Sequence, residues 1–475
     1  MDVVISAVAS ELVCRLISFV SKKYSSQTHL KENLEKLQHL LLRAHSIVEE
    51  AEGRHILKPS MLQQLKTLTE AMFRGYDVLD TYMPLEKIGE IEEVSGWPFP
   101  ITRRPNMAEM TRACSQVEST LENLETTVTN MTEFVVLLSG CKRMFRSPYS
   151  GYLYIDNFMF GRQVEKQQVI NILLHHSPFR APTVLPIIGG CRVGKKTLVG
   201  NICAHDRIRS YYSSILHFSG DDIQKINYEN FKRVRTLVTI EFISDVSDKE
   251  WLKFYRLVAL TGKGSKVIII SRLKKLIRFG TVNPIQINSL SQEEYSYLFK
   301  VLAFGSANPM EHPRLALVGK ELATVFQGSL IMLNVYASVL RNNLNISFWT
   351  RVLQLFRVMM HKNLTIFGEH PKTLLEKDGS AVDITGFSLS SLSNTWFRLM
   401  LLTAQKDASG GGLPQMSFGD IIAGSKILPA KFQLVWESRL PPHTVICANC
   451  TAEMPSKLPP SPMKKRLKLC TSSSL

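Results

Sequence analysis

Long hydrophobic runs are the first feature that this sequence lacks. None of its 475 residues belongs to an apolar stretch of the ~18–20 residues that a membrane-spanning helix needs. The first residues, 1–5, have no basic segment ahead of an apolar one and are followed early by Glu11, so they do not resemble a secretory signal. Without such a signal, the eight cysteines are predicted to be reduced thiols in a protein of the cytoplasm or nucleus.

Acidic residues are also few. The 41 Asp and Glu residues stand against 57 Lys and Arg, which gives a formal net charge of +16. This charge favours acidic partners such as nucleic acid or anionic lipid, but it is also typical of a solvated basic surface. No nucleic-acid-binding motif is present, so sequence-specific contact with nucleic acid is not expected. The C-x-x-C pair of Cys447 and Cys450 would need two further ligands to form a zinc site, for which only His443 and Cys470 are conceivable, so no metal site is predicted.

Residues 1–140 have apolar side chains at helical spacing. They form four stripes: Ile5, Val8, Leu12, Leu16 and Phe19; Leu34, Leu37, Leu41, Ala44, Val48 and Ala51; Leu62, Leu65, Leu68, Met72, Tyr76 and Leu79; and Met110, Cys114, Val117, Leu121, Leu124, Val128, Met131 and Val135. The fourth stripe alternates in steps of four and three, which is typical of a coiled-coil seam. The pattern predicts an N-terminal four-helix coiled-coil-type bundle over residues 1–140 and a linker over residues 141–157.

A glycine-rich segment follows, between a predicted strand at 184–188 and a predicted helix that starts near residue 197. Gly189, Gly194 and Lys195 match the phosphate-binding pattern G-x-x-x-x-G-K-[ST], in which backbone N–H groups and the lysine hold phosphate oxygens. The predicted strands are 184–188, 215–219, 236–242, 266–271 and 284–288. Because they alternate with helices, they predict a P-loop NTPase-like parallel α/β domain, and the whole chain has the predicted class α plus α/β.

The phosphate-binding pattern departs from its consensus at one position. Lys196 stands where a serine or threonine hydroxyl normally binds Mg²⁺, and an ammonium group there repels the metal. Cys191 and Arg192 also replace glycines, which predicts strain if the loop needs positive φ angles. Binding of ADP or ATP by Lys195, Lys196, Thr197 and the loop amides stays open, whereas Mg²⁺ is not expected.

Two stretches of the helical region resemble a known family. Residues 37–52, followed by Tyr-Asp-Val-Leu-Asp at 76–80, resemble the N-terminal coiled-coil domain of plant intracellular immune receptors, the nucleotide-binding leucine-rich-repeat (NLR) disease-resistance proteins. The acidic motif of that family reads Glu-Asp-Val-Ile-Asp, so Tyr76 replaces its first residue. Two acidic residues on one helix face are also typical of a solvated edge. The resemblance implies instead that Asp77 and Asp80 contact the central or repeat domain.

The central region resembles the same family, known there as NB-ARC, in the order and spacing of its motifs. Gly161 and Arg162 belong to a segment that lies near the adenine in relatives. Glu241 lies where the Walker B strand of relatives ends in two aspartates, and Phe242 occupies the second of those positions. Arg272 matches an arginine that senses the terminal phosphate. The resemblance therefore implies that these residues, Phe242 excepted, take part in nucleotide binding.

The resemblance covers roughly residues 1–360, with residues 158–289 as the nucleotide-binding domain and 290–365 as a helical subdomain similar to ARC1. Residues 366–452 are divergent, with neither a Met-His-Asp motif nor a leucine-rich period, so a degenerate, truncated relative without repeats is predicted. Residues 453–475 predict a basic, disordered tail. Four of its residues resemble a nuclear import signal, although a solubilising tail is an equally good interpretation: Lys464, Lys465, Arg466 and Lys468.

Hydrolysis of ATP by this fold needs Mg²⁺ and carboxylates that hold the metal and orient water. Because Lys196 and Phe242 disturb both, the chain is predicted not to be an enzyme. The predicted function is that of a plant defence protein with a degenerate ADP/ATP switch, acting through protein contacts as helper, adaptor or regulator. Immune receptors or signalling proteins are the expected partners of the bundle, and self-association stays open. The alternatives are an ATP-hydrolysing switch and a nuclear protein associated with nucleic acid.

Overall fold

The computed structural model describes most of the chain. The described residues are 29–89, 107–142, 160–176, 181–227, 229, 231–377, 381–384, 398–403, 413–417, 420–421, 429–437 and 445–453. The chain divides into two compact units, one made of residues 1–353 with 437–444 and the other of residues 354–436 with 445–475. The candidate site and the described part of the N-terminal region belong to the first unit.

The described N-terminal region is helical, as predicted. Its helices are α1 (residues 29–52), α2 (Pro59–Gly89), α3 (Met107–Thr129) and α4 (Thr132–Ser139). Gly75 of α2 lets α1 approach closely, because a Cβ atom there would lie 2.8 Å from the Leu41 side chain. Leu37, Leu41 and Leu124 are at most 1% exposed, and burial of each stabilises the fold by about 1.5–3 kcal/mol. The fourth predicted stripe is divided between α3 and α4, and the first stripe lies outside the described residues.

The next part of the chain is a parallel α/β domain. Its elements are α5 (Gln163–Leu174), β1 (Thr183–Gly189), α6 (Lys195–Ala204), α7 (Asp206–Tyr211), β2 (Ser214–Ser219), β3 (Thr236–Phe242), α8 (Asp248–Ala259), β4 (Lys266–Ser271) and β5 (Ile285–Ile287). The strand order is β2-β3-β4-β1-β5, and each neighbouring pair is parallel. Both faces of the sheet are covered by apolar clusters, which explains the continuous apolar runs in the strands. The predicted P-loop NTPase-like α/β fold is confirmed.

Four helices follow the parallel sheet. They are α9 (Gln292–Phe304), α10 (Pro313–Val325), α11 (Leu330–Arg341) and α12 (Ile346–Phe367). A capping box of Ser291 and Glu294 fixes the start of α9. Trp349 of α12 is fully buried, and its indole N–H donates to the carbonyl oxygens of Leu340 and Asn343, at 3.2 and 2.9 Å. These contacts hold the helices as a packed group.

The second unit contains a sheet that the sequence analysis missed. Its elements are the end of α12, α13 (Pro371–Glu376), β6 (Ala381–Asp383), β7 (Arg398–Thr403), β8 (Gln415–Ser417), β9 (Lys431–Glu437) and β10 (Val445–Glu453). The strand order is β6-β7-β10-β9-β8, with antiparallel and parallel pairs. The buried Asn363 amide of α12 donates to the Asp383 carbonyl oxygen at 2.8 Å and accepts from the Asp383 N–H at 2.9 Å. This exchange ties α12 to β6.

Some predictions concern residues outside the described ranges. The basic cluster of Lys464, Lys465, Arg466 and Lys468 is among them, as is most of the linker 141–157. Within the described ranges, no helix combines the length and apolar character that crossing a membrane requires. The same ranges contain no group of three or more His, Cys, Asp or Glu side chains arranged to hold a metal ion.

Candidate nucleotide-binding site

The glycine-rich loop begins where β1 ends, at the carboxyl edge of the parallel sheet. Gly189 lies so close to β5 that a Cβ atom would be 2.3 Å from the Ile287 carbonyl oxygen, so a larger residue does not fit. Gly194 has a φ of +90° and is the N-cap of α6, a conformation that glycine adopts readily. The loop therefore leads directly into the positive N-terminal end of a ten-residue helix. A phosphate group suits this cradle of backbone N–H groups.

The loop also contains one strained residue. Arg192 has a φ of +53°, in the left-handed region, which costs a non-glycine residue about 1–2 kcal/mol. The predicted strain is therefore confirmed at Arg192, whereas Cys191 does not have a positive φ. The loop thus adopts a left-handed conformation at Arg192, although this position lacks the glycine that would adopt it without strain.

Lys195 is the first residue of α6, and its side chain folds back over the loop. Its ammonium group donates to the carbonyl oxygens of Gly189, at 2.9 Å, and Gly190, at 2.5 Å. Burial is the main influence on the pKa of Lys195 and lowers it. A partly buried ammonium group whose pKa is lowered in this way is stabilised by an anionic neighbour. Lys195 is thus placed to hold a phosphate oxygen.

Lys196 forms an ion pair at the point where a metal would be held. Its Nζ atom lies 2.6 Å from Oε2 of Glu241, and the two side chains are 45% and 26% exposed. Glu241 is the penultimate residue of β3, and its carboxylate is the acidic group that the sequence assigned to this edge of the sheet. The ammonium group therefore lies against the oxygen that Mg²⁺ would coordinate. These residues do not fit a magnesium ion, because a cation is already present on the chain.

Phe242 is the last residue of β3, but its side chain packs into the core and not into the nucleotide site. It is 3% exposed and packs in the apolar cluster beneath α8, where its ring centroid lies 6.3 Å from that of Trp251. Successive residues of a strand point to opposite faces, so Glu241 and Phe242 diverge. The Ser271 hydroxyl donates to the Phe242 carbonyl oxygen at 2.8 Å and holds β3 and β4 together at this level. Phe242 is therefore a core residue and not part of the nucleotide site.

Arg272 follows β4 directly and is exposed. Its positive charge contributes to lowering the pKa of Lys195, so the two groups lie within electrostatic reach of each other. Thr197 is the third residue of α6 and is partly buried. The ends of β1, β3 and β4 with the start of α6 thus gather most of the residues that the sequence assigned to nucleotide binding: Gly189, Gly194, Lys195, Lys196, Thr197, Glu241 and Arg272.

Gly161 and Arg162 approach the loop from the start of α5. Gly161 has a φ of +65°, and a Cβ atom there would lie 2.8 Å from the Leu290 side chain. The Arg162 guanidinium is buried and donates to the carbonyl oxygen of Asn288 and, at 3.5 Å, to that of Val193. Val193 belongs to the phosphate loop, so this segment lies beside the loop, and its proximity to an adenine stays a prediction.

A cavity of about 350 Å³ lies beside Gly161 and Arg162. Phe73 and Phe160 contribute apolar surface to it, and Glu294 is among its acidic side chains. Burial raises the pKa of Glu294, while the nearby Arg162 opposes that shift. The cavity combines aromatic faces with hydrogen-bonding groups, which is typical of a small-molecule site.

The two aspartates of α2 form ion pairs with the helices beyond the sheet. Oδ2 of Asp80 lies 2.5 Å from Nζ of Lys300 on α9. Oδ1 of Asp77 lies 2.8 Å from Nζ of Lys320 on α10, and Lys320 also donates to the Asp77 carbonyl oxygen at 2.9 Å. All four side chains are about one-quarter exposed or less. Asp77 and Asp80 are therefore contact residues and not a solvated acidic edge.

An aromatic group that was not predicted from the sequence surrounds these ion pairs. The Tyr76 ring centroid lies 4.9 Å from that of Tyr297 on α9, and the Lys300 ammonium lies 5.5 and 5.2 Å from the two centroids. Phe73 and Phe160 extend the group, each about 5 to 6 Å from its neighbours. Tyr76, which replaces the acidic residue of the motif, thus contributes apolar and cation–π contacts. Tyr76 stood out in the sequence, but its partners did not.

Comparisons with known proteins agree with this architecture. The family profile of the Rx N-terminal domain matches residues 8–95. Disease resistance protein RGA2 of Solanum bulbocastanum is 20% identical over 342 residues, 66% of this chain and 34% of the relative. Putative disease resistance protein RGA1 of the same plant is 20% identical over 356 residues, 69% of this chain and 36% of the relative. Putative disease resistance RPP13-like protein 1 of Arabidopsis thaliana is 20% identical over 399 residues, 74% and 37% of the two chains.

The chain spans about a third of the length of these curated relatives. Among solved structures, one similar chain comes from a structure of Drosophila ORC bound to DNA, with 11% identity and coverage of 48% of this chain and 77% of that chain. Its TM-score of 0.30 is too low to support any conclusion about this chain. The present chain therefore carries an Rx N-terminal domain and is similar to plant disease resistance proteins over about two thirds of its length.

Proposed function

We propose that this protein is a plant defence protein of the NLR type whose nucleotide switch has become independent of Mg²⁺. It binds ADP or ATP, hydrolyses ATP slowly if at all, and acts through protein contacts as a helper, adaptor or regulator. The observation that carries the proposal is the Lys196–Glu241 ion pair, because it places a fixed positive charge where relatives need a metal. Similarity to disease resistance proteins supports the defence role.

Binding of the phosphates would rely on the chain's own positive groups. The first N–H groups of α6 and the Lys195 ammonium supply donors at the loop. Arg272 adds positive charge at the open edge of the sheet, and Lys196 neutralises Glu241, which would otherwise repel a phosphate. Mg²⁺ has two roles in this class of fold: it neutralises phosphate charge, and it positions the outer phosphates for transfer. The positively charged side chains described above can take over only the first of these roles.

Slow hydrolysis follows from the carboxylates. Glu241 is occupied by Lys196, at 2.6 Å, and Phe242 is buried beneath α8. Neither residue is free to orient a water molecule for attack on a terminal phosphate. The nucleotide would therefore be held as a stable occupant, and its presence or absence, rather than its turnover, would set the state of the protein.

The bundle is the proposed contact surface for partner proteins such as immune receptors or signalling proteins. Asp77 and Asp80 hold it against α9 and α10 through Lys320 and Lys300. These are charge contacts at partly exposed positions, which are individually weak and are screened by salt. Release of the bundle would expose the acidic and aromatic face of α2 to another protein. The docked and released bundle would then be the two states of the signalling protein.

The nucleotide content of the purified full-length protein tests the first half of the proposal. Protein purified in EDTA is denatured, and the released nucleotide is identified by chromatography. ADP or ATP is expected at a substantial fraction of one per chain, because Mg²⁺ is not needed. Lys195→Ala is expected to lose it, whereas Lys249→Ala, which removes an exposed lysine from α8, is not. An empty wild-type site under these conditions, and after incubation with ADP, would contradict nucleotide binding.

A charge exchange tests the second half. Asp80→Lys in the full chain is expected to raise hydrogen exchange of the backbone of α2 and α9, because two ammonium groups would then face each other. Lys300→Asp in the same chain should restore protection. The control Glu118→Lys, on the exposed face of α3, should leave exchange at the junction unchanged. If the single and exchanged variants have the same protection as the original, the ion pair does not hold the bundle.

A further inference from the structure

A second cavity lies outside the nucleotide site, between α2, α3 and the start of α9. Its volume is about 510 Å³ and it opens to solvent. All of its lining residues except Val78 are polar or charged: Arg74, Asp77, Arg112, Ser115, Gln116, Ser119, Thr120 and Glu293. We call this cavity the arginine groove. It borders the bundle and the helices beyond the sheet at the same time, since Glu293 belongs to α9.

The two arginines of the groove carry the positive charge on which the inference rests, and Arg112 also lies within electrostatic reach of Tyr82. Neither the Arg74 nor the Arg112 guanidinium makes a hydrogen bond or ion pair with a described residue. The lysines of the same junction differ, because Lys300 and Lys320 are each paired with an aspartate. A guanidinium carries five N–H donors in a planar fork that matches the oxygens of phosphate. Two such forks on one cavity form a local excess of donors for an anion.

The acidic groups of the groove do not cancel this excess. Asp77 also lines the cavity, but its carboxylate is 2.8 Å from Lys320 and is neutralised there. Glu293 remains as the one other carboxylate of the lining. Two arginines against one available carboxylate leave the groove positive, so an anion is favoured over a cation. Glu293 is then left to accept hydrogen bonds from neutral groups of the same ligand.

Hydroxyl groups line the rest of the groove. Ser115 and Ser119 are four residues apart on α3 and therefore share a helix face, with Thr120 next to them. Gln116 lies between them and is held in place by the Tyr82 hydroxyl, which donates to Oε1 of Gln116 at 2.6 Å. Gln116 lines the cavity, and its side-chain amide nitrogen is a further hydrogen-bond donor there. Small polar side chains in such numbers suit a ligand that carries hydroxyl groups of its own.

From these observations we propose that the arginine groove binds a small phosphate ester that also carries several hydroxyl groups, as a sugar phosphate does. The phosphate contacts Arg74 and Arg112, and the ligand hydroxyls exchange hydrogen bonds with Glu293 and the serines of α3. A cavity of about 510 Å³ accommodates a ligand of this size. Because the ligand would contact α2, α3 and α9 together, beside the Asp77–Lys320 pair, its binding favours the docked bundle.

Calorimetric titration of the full-length protein with glucose 6-phosphate tests this site. Glucose 6-phosphate is expected to bind more tightly than either inorganic phosphate or glucose, because only the ester engages both the arginines and the hydroxyl-bearing wall. Arg74→Ala and Arg112→Ala are each expected to weaken binding by roughly tenfold or more, the effect of losing a charge-assisted contact. Both arginines are exposed, so both variants should fold.

Two controls separate this groove from the phosphate loop and from general charge. Lys195→Ala removes the lysine of the loop and is expected to leave the affinity for glucose 6-phosphate unchanged. Arg43→Ala removes an exposed arginine of α1 outside the groove and is also expected to have no effect. The proposal is wrong if glucose 6-phosphate does not bind, or if inorganic phosphate binds as tightly. It is equally wrong if Lys195→Ala abolishes binding, or if Arg43→Ala weakens it as much as the groove variants do.

Discussion

Replacing Lys196 with threonine is the most direct perturbation of the nucleotide site. The change removes the ammonium group that lies 2.6 Å from Glu241 and supplies the small hydroxyl that the phosphate-binding pattern normally has. The stability of the fold should change little, because the Lys196 side chain is 45% exposed. Exposed ion pairs of this kind contribute about 0.2–1 kcal/mol. Any large change in nucleotide binding would therefore come from the site and not from unfolding.

The size of the effect on Mg²⁺ follows from electrostatics. If the flexible Lys196 side chain moves aside to ~8 Å from a bound ion, repulsion is still about 2 kcal/mol per unit of ion charge at an effective dielectric constant near 20. A divalent ion is then disfavoured by about 4 kcal/mol, roughly a thousandfold in Mg²⁺ affinity. Threonine removes this term and also frees the Glu241 carboxylate. Wild-type protein should bind ADP equally well with Mg²⁺ and with EDTA, whereas Lys196→Thr should need Mg²⁺.

The assay is a titration of fluorescent ADP into wild-type and Lys196→Thr protein, each with Mg²⁺ and with EDTA. Lys196→Met is the matched control, because it removes the charge without adding a metal ligand. We expect this control to weaken ADP binding in EDTA and to gain less from Mg²⁺ than Lys196→Thr does. Strong Mg²⁺-dependent binding by the wild type would refute the reasoning, since Thr197 or Glu241 would then hold the metal despite Lys196.

Three further predictions concern single groups elsewhere in the chain. Phe242→Asp, alone or with Lys196→Thr, replaces a core ring with a buried carboxylate. It should therefore lower the free energy of unfolding of the α/β domain by roughly 3–5 kcal/mol or more, measured by urea unfolding, and should not restore hydrolysis. Burial lowers the pKa of Lys266 from 10.5 to about 8. The unfolded chain keeps that proton in the window between these values, so the free energy of unfolding of wild type relative to Lys266→Met should rise from pH 8 to pH 10. Alanine at all four basic tail positions should remove a fluorescent fusion from the nucleus, and an unchanged distribution would leave only a charged tail: Lys464, Lys465, Arg466 and Lys468.

The parallel sheet and its loop could be predicted because their signals are local. The strands β1, β3 and β4 bury both faces and therefore read as nearly continuous apolar runs, and Gly189 and Gly194 mark the turn that follows β1. The sequence also predicted a helix that starts near residue 197, and in the structure this helix begins two residues earlier, at Lys195. The roles of residues that depend on their neighbours in the sequence could therefore be predicted from the sequence alone.

Pairings between distant segments could not be predicted in the same way. Nothing in the sequence near Lys196 indicates that its partner is Glu241, and nothing near Asp80 indicates Lys300, because such pairs form only when elements pack. Phe242 is a related case: the sequence shows that a carboxylate is missing, but only the packing against Trp251 shows that the position has become part of the core. A lost functional group and a gained core residue look the same in sequence.

The second sheet was missed for a different physical reason. Two of its strands, β6 and β8, are three residues long, which is too short for an alternation of apolar and polar side chains to be recognised. Its strands are also joined by long segments, and the order β6-β7-β10-β9-β8 departs from the order of the chain. Asn363 contributes to this unit through backbone contacts of its amide, and an isolated asparagine in a helix gives no sign of that role.

The contacts between α5 and the bundle bear on how firmly the two are joined. The Gln163 amide donates to the carbonyl oxygen of Glu52, the last residue of α1, at 3.3 Å, and the Asn171 amide donates to that of Ile56, between α1 and α2, at 3.1 Å. The amide oxygens of the same two side chains are buried and have no partner among the described residues, which costs about 1–3 kcal/mol for each group. Hydrogen bonds gained here are thus offset by acceptors left unpaired. The bundle is therefore held by the aromatic group around Tyr297 and by the ion pairs of Asp77 and Asp80, rather than by its polar contacts with α5. A ligand or partner that competes for this face of α2 would shift the equilibrium between the docked and released bundle.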